Sequence, residues 1–260
     1  MVAPQELASD WQRTHAQLPR PLIIEDRLVV YYATRGLADS SGNYESYIGA
    51  VSLDPDDPYK VLGFQKSPVL QPSRNKGSFY ETGVMPGHVQ YCLDGSIEMF
   101  FTGWSRPKGL YPFETWIGSV RSYDSGVSFE TASVRKIVEK SDNNKLLANG
   151  PELIKATGKV PQIAFASGDE WVFHEDKWEI VYTIKITDYP INPLNKVEKI
   201  RNHDDGLCEN APYAFSHLGK TYLIYSLRPS LNFRGLNGYQ LYCGELIDGK
   251  IGVEQPITFD

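Results

Sequence analysis

Glu81 in FYETGVMPG, Asp169 and Glu170 in ASGDEW, and Glu209 in CENAPY are carboxylates that share one feature. Each stands at or just before the head of a short run of β-branched and aromatic residues. Arg35, Trp104, Lys185 and Arg228 each close another such run. Acids brought together from separate segments suit cleavage of a glycosidic bond, where one carboxyl group protonates the leaving oxygen and a second assists from the opposite face. Burial beside Tyr and Trp, or beside another carboxylate, would raise one pKa into the range a general acid needs. Glu209 is the expected acid, with Glu81 and Asp169 as its companions. Asp169 and Glu170 are adjacent, so at most one of them faces a shared pocket, and Glu170 is grouped with the binding candidates. Arg35 and Arg228 suit a hydroxyl, a carboxylate or a phosphate. Trp104, standing before the polar loop SRPKG, suits a stacking surface, and Lys185, His88 and Tyr239 complete the binding set. Taken singly, each has a plainer reading as a solvated loop residue, a core indole or half of an ion pair.

The elements that must position these residues are legible as repeats. Four nine-residue runs, RLVVYYATR (Arg27–Arg35), SIEMFFTGW (Ser96–Trp104), KWEIVYTIK (Lys177–Lys185) and KTYLIYSLR (Lys220–Arg228), align on an aromatic sixth residue: Tyr32, Phe101, Tyr182 and Tyr225. Their content and length suit buried strands rather than helices. Each follows a turn signal, Glu25-Asp26, Asp94-Gly95, Glu175-Asp176 or Leu218-Gly219, and before each turn lies another extended run (PLII, HVQYCL, EWVFH, PYAF). Asp94-Gly95 is the strongest of these signals, because both residues tolerate the positive φ of a tight hairpin. After three of the four, a loop leads to a third strand: SYIGAVSLD, TWIGSVRSYD and GYQLYCGELID. The third copy's equivalent, near Lys196–Asn202, is degraded.

Repeated antiparallel units with no amphipathic helix between them predict an all-β fold, a β-propeller. The spacing of about 40 to 80 residues excludes a regular short repeat, and a β-sandwich with similar hairpins is the alternative. In a propeller blade the entrance to the innermost strand and the exit of the next lie on one face. The acids and the cations named above would then surround one channel mouth.

Composition bounds the function from outside. With 260 residues, the chain is expected to form a single domain spanning residues 1–260. A net charge of −6 argues against general nucleic-acid binding. No segment has the length and apolarity of a membrane span, and the N-terminal MVAPQELASDWQRTHAQ has no apolar signal core. The three cysteines, Cys92, Cys208 and Cys243, have no metal-type spacing, so a reduced cytoplasmic protein is expected. The five histidines form no H-E-x-x-H, and G-x-S-x-G and a Gly-rich phosphate loop are both missing. No cofactor or metal is expected. His203-Asp204-Asp205 reads as a polar loop before it reads as a cation site.

Two segments carry a family resemblance. FYETGVMPGHV, the Asp-Gly hairpin, MFFTGW and TWIGSVRSYDSGVSFE together resemble the second blade of five-bladed propellers related to glycoside hydrolase family 43 and its relatives in families 32, 68 and 130. In SYDSGVSF the Ser-x-Asp-x-Gly core stands at Ser122, Asp124 and Gly126. ENAPYAFSHLGKTYLIYS is similar to the last blade of such proteins. The resemblance covers most of Leu18–Ile247 and implies five blades and a carbohydrate-related activity served by three carboxylates on different blades. Two departures stand out. Leu18-Pro19-Arg20-Pro21 occupies the place of the first-blade acid, and only four repeats are visible, so a fifth blade is either divergent, partly within Val127–Gly158, or absent. The expected function is therefore a glycoside-hydrolase-like enzyme. The alternatives are a sugar transferase or phosphorylase using the arginines, and a propeller that binds a glycan or a protein partner without catalysis. Carboxylates about 5–10 Å apart across a pocket fit hydrolysis, whereas acids each held by a neighbouring cation fit the inert reading.

Overall fold

The computed structural model describes residues 9–106, 112–142, 144–156, 158–192, 195–202, 206–229, 231 and 238–258. Every helix or strand among them is a strand, and none is a helix long and apolar enough to cross a membrane. The chain divides into two compact units, the first ending at Ile137 and the second taking the chain onward from Val138.

In the first unit, β1 (Thr14–Ile24), β2 (Arg27–Arg35), β3 (Ser46–Leu53) and β4 (Val61–Phe64) pair in sequence order as an antiparallel sheet. A second sheet follows, of β5 (Gly83–Tyr91), β6 (Ile97–Ser105), β7 (Glu114–Ser122) and β8 (Glu130–Val138). One parallel bridge, Ser46 with Gly83, joins the two, and β5 packs against β1, β2 and β3. In the second unit, β9 (Leu147–Ile154), β10 (Gln162–His174), β11 (Lys177–Asp188) and β12 (Glu198–Lys199) form one sheet. The other contains β13 (Leu207–His217), β14 (Lys220–Pro229), β15 (Gln240–Ile247) and β16 (Lys250–Pro256). Here β13 packs against β9, β10 and β11, as β5 does against β1, β2 and β3.

The central strands are buried almost throughout, which is why they read as unbroken apolar runs rather than alternating ones. Ile24, Tyr31, Ile48, Val84 and Met99 lie in the first unit's core, and Ile184, Ile200, Leu223 and Tyr225 in the second's. The four expected hairpins form. Glu175 and Asp176 (φ 47° and 59°) and Leu218 and Gly219 (φ 48° and 76°) take the left-handed conformations a two-residue turn needs. At Asp94-Gly95 only Gly95 does (φ 82°), and the Asp94 carboxylate instead accepts hydrogen bonds from the Ser96 amide and hydroxyl. The Ser122-x-Asp124-x-Gly126 motif is a latch between β7 and β8. The Asp124 carboxylate accepts from the Ser122 and Ser128 hydroxyls and the Ser128 amide, and Gly126 O accepts from Tyr31 Oη at 3.1 Å.

The third repeat corrects the sequence alignment. KWEIVYTIK is β11, third in its sheet rather than second, because LANGPELI forms an additional first strand, β9. Asn149, Gly150 and Pro151 carry turn chemistry, yet the chain runs through them as a bulge. Asn149 pairs with Ala166 and Glu152 with Ala164, and Gly150 takes φ 59° between them. Tyr182 is therefore not equivalent to Tyr32, Phe101 and Tyr225. Within residues 127–158, β8 pairs with β7 and β9 pairs with β10, so neither belongs to a separate blade there.

Candidate functional site

The first unit contains a cleft of about 500 Å³ lined by Gly36, Asp39, Tyr44, Glu45, Glu81 and Arg106, among others. Its walls are loops that leave β2 and enter β5, where the sheet's pairing ends and side chains turn outward. Glu81 stands two residues before β5, as expected for a strand entrance, and its carboxylate accepts one hydrogen bond, from the Gly77 amide at 2.8 Å. No cation pairs with it among the described residues. The other acids of the cleft are already occupied. Asp10 pairs with Arg13, Glu45 with Arg74, and Asp39 accepts from the Ser41 and Asn43 amides.

Behind this cleft lies Trp104, the penultimate residue of β6. It is 8% exposed, so it is not the open stacking surface the sequence suggested. Its indole rests where a side chain on Gly83 would stand, with a Cβ there only 1.4 Å from Nε1. Nε1 donates to Ser46 Oγ at 3.0 Å, which in turn donates to Val84 O at 2.8 Å. Two guanidiniums cover the ring, Arg35 at 5.5 Å and Arg106 at 5.4 Å from its centroid. Arg35 also lies 5.8 Å from the Tyr44 ring, against which His15 packs edge-on. Burial lowers the pKa of Arg35, with Arg106 adding to the effect, and burial with Arg35 lowers that of His15. His88 sits at the β5 bulge with its ring 6.4 Å from Phe100 and does not line the cleft.

In the second unit the candidate residues are tied to one another. Glu209, third residue of β13 and 4% exposed, accepts from the Ile184 amide at 2.7 Å and from Arg201 at 3.4 Å. Arg201 also clasps Glu254 through two nitrogens at 3.1 and 2.9 Å, and Glu254 accepts from Tyr225 Oη. Asp169 lies inside β10 at its bulge rather than before a first strand, and pairs with Lys185 at 2.8 Å. Glu170 beside it is exposed. Arg228 is buried and spends its donors on Ile180 O, Pro229 O and Tyr239 Oη. Its guanidinium also covers the Tyr239 ring at 5.4 Å. His203-Asp204-Asp205 lies outside the described residues.

Sequence reasoning missed His15, Tyr44 and Arg106 in the first unit, and Arg201 and Glu254 in the second. Arg106 stood in the SRPKG loop already singled out, and was recoverable from its place at a strand exit. Arg201 and Glu254 are 53 residues apart and carry no local signal.

No protein-family profile matches the sequence. Uncharacterized proteins from two strains of Mycobacterium tuberculosis are 30% identical over 150 residues, 57% of this chain and 47% of theirs. The match thus spans about half the length of those relatives. Among solved structures, a thermostable family-43 glycoside hydrolase superposes with a TM-score of 0.60 at 13% identity, over 95% of this chain and 76% of its own. An α-L-arabinofuranosidase from Lactobacillus brevis gives 0.60 at 12%, over 97% and 75%. The Bacillus subtilis arabinanase gives 0.56 at 17%, over 89% and 74%. The chain has the fold of the family-43-like β-propellers. At these identities the likeness is one of fold, and the site must be argued from its own residues.

Proposed function

We propose that the protein recognises carbohydrate through the cleft of its first unit, as a glycan-binding form of the glycoside-hydrolase propeller. The observation that carries this reading is how the three expected catalytic acids are partnered. Glu209 is held by Arg201 and Asp169 by Lys185, whereas Glu81 alone has no cationic partner among the described residues. Glycosidic cleavage needs two carboxyl groups free to exchange protons with substrate and water. An acid already accepting from a guanidinium or an ammonium serves better as a structural anchor. A cleft offering one open carboxylate, a phenol and a guanidinium suits the hydroxyls of a sugar.

Hydrolysis or glycosyl transfer is the second reading, favoured by the family-43 glycoside hydrolase and the arabinofuranosidase among the fold's neighbours. In it Glu81, Glu209 and Asp169 share the acid–base work. A glycan panel screened by calorimetry, followed by turnover assays on unactivated glycosides, separates the two. Binding without turnover supports recognition. Turnover that falls by about 10²–10⁴ in Glu81→Gln supports catalysis. Binding of no glycan at all would sink both readings.

A further inference from the structure

The cationic pair beside the cleft is not explained by neutral-sugar recognition. The Arg35 side chain makes no hydrogen bond or ion pair among the described residues, although its guanidinium is partly buried beside the Tyr44 and Trp104 rings. Arg106 covers the same indole and makes one hydrogen bond, to Tyr44 O at 3.3 Å. Two like charges thus share one indole, where each raises the cost of the other. Nearby carboxylates do not neutralise them: Asp10 and Glu45 are paired to Arg13 and Arg74. Asp39 lies within the field of Arg106, but its oxygens accept from Ser41 and Asn43. His15 adds a third basic group against Tyr44. The Tyr44 and Trp104 rings hold these guanidiniums beside them, and the one side-chain hydrogen bond they make to described residues is that of Arg106 to Tyr44 O.

We propose that Arg35 and Arg106 form a subsite for an anionic group on the bound sugar, a carboxylate or a phosphate, gripped by charge-assisted hydrogen bonds. This rests on the carbohydrate reading of the cleft. It deepens that reading by naming the ligand class as an acidic sugar, a uronic acid or a sugar phosphate. A planar carboxylate matches one guanidinium fork, and a phosphate can bridge two.

The test is calorimetric titration of the full chain with galactose, galacturonate, glucuronate, glucose 6-phosphate and inorganic phosphate. Wild type is compared with Arg35→Gln, Arg106→Gln and the charge-keeping Arg35→Lys. Acidic sugars are expected to bind wild type at least about tenfold more tightly than galactose. Either Gln substitution should erase that preference, weakening the acidic sugars far more than galactose, and Arg35→Lys should restore part of it. Raised salt should weaken the acidic ligands only. Uronates binding more tightly than glucose 6-phosphate would assign the carboxylate as the anion, and the reverse order the phosphate. Galactose binding equal to that of every acidic sugar overturns the proposal, as does a preference that survives both Gln substitutions. Binding of inorganic phosphate, lost in the Gln variants, with no sugar bound would keep the anion subsite and remove the carbohydrate reading. No binding of any probe removes both. Thermal unfolding of each variant identifies any that fails to fold, in which case Arg35→Lys carries the comparison.

Discussion

Glu209 shows how a residue's neighbours decide its work. Its carboxylate is buried with Arg201, whose side chain is 2% exposed, and it accepts the Ile184 amide. Glu209→Gln keeps an acceptor for that amide but removes a carboxylate charge from beside a buried guanidinium that Glu254 also holds. The expected outcome is a loss of about 2 kcal/mol in urea unfolding, with sugar binding in the first unit's cleft unchanged. Unaltered stability with lost turnover would return Glu209 to the general acid's role. Gly83 makes a second residue-level case. A methyl group there would meet Trp104 Nε1 at 1.4 Å, within the buried contact that also carries the Ser46 hydrogen bond. Gly83→Ala must push the indole from beneath Arg35 and Arg106. It should cost about 1–3 kcal/mol and weaken acidic ligands together with stability.

At the scale of elements, the hairpins were legible because their signals are local: an apolar run, a turn dipeptide, a second run. All four turns formed where the dipeptides stand. β9 was not legible, because Asn149-Gly150-Pro151 spells a turn and tertiary pairing overrode it as a bulge. That one hidden strand moved Asp169 and Glu170 from a strand entrance to the interior of β10. One partner in the site was also hidden. Glu81, Arg35 and Lys185, which holds Asp169, could be chosen from their positions at strand ends, but Arg201, which holds Glu209, closes no such run. The Ser-x-Asp-x-Gly loop was recognisable as a motif, and the structure gives it a mechanical role that can be measured. Gly126 (φ 77°) and Gly158 (φ 73°) have similar backbones, but a Cβ on Gly126 would come within 2.1 Å of Tyr31 Oη, while one on Gly158 meets nothing. Gly158→Ala should cost about 1 kcal/mol, the conformational cost of positive φ. Gly126→Ala should cost about 2–4 kcal/mol, adding overpacking against the first unit's core. Equal losses would mean that the latch does not bear on Tyr31.

Across the whole molecule, titrating groups set a stability window with unequal sides. On the acid side, hydrogen bonds and ion pairs lower several carboxylate pKa values. These act on Asp39 from Asn43, Asp54 from Lys60, Asp94 from Ser96 and Glu198 from Lys196. At Asp124 burial works the other way, and the bonds from Ser128 and Ser122 outweigh it. A carboxylate with a depressed folded pKa adds stability above its unfolded value and loses it as pH falls through the folded one. All but Asp124 lie at the surface in contact with solvent, so this acid limb should be shallow and should flatten further in salt. On the alkaline side the groups are buried. Burial raises Tyr32 to about 12 and raises Tyr31, Tyr182 and Tyr225 further, the last with help from Glu254, and it also raises Cys208. For these the sign reverses. Their contribution is complete below the unfolded values of 10.0 and 9.0 and is lost as pH climbs through the folded ones. Urea midpoints should therefore hold level from about pH 5 to pH 8.5, decline gently below, and fall steeply above about pH 9.5. Tyrosinate absorbance provides the independent check. Of the 16 tyrosines, these four should stay un-ionised at about pH 11 while the protein is folded, then appear together as it unfolds. A steeper acid limb than alkaline limb would overturn this account, as would full tyrosinate absorbance in the folded protein at that pH.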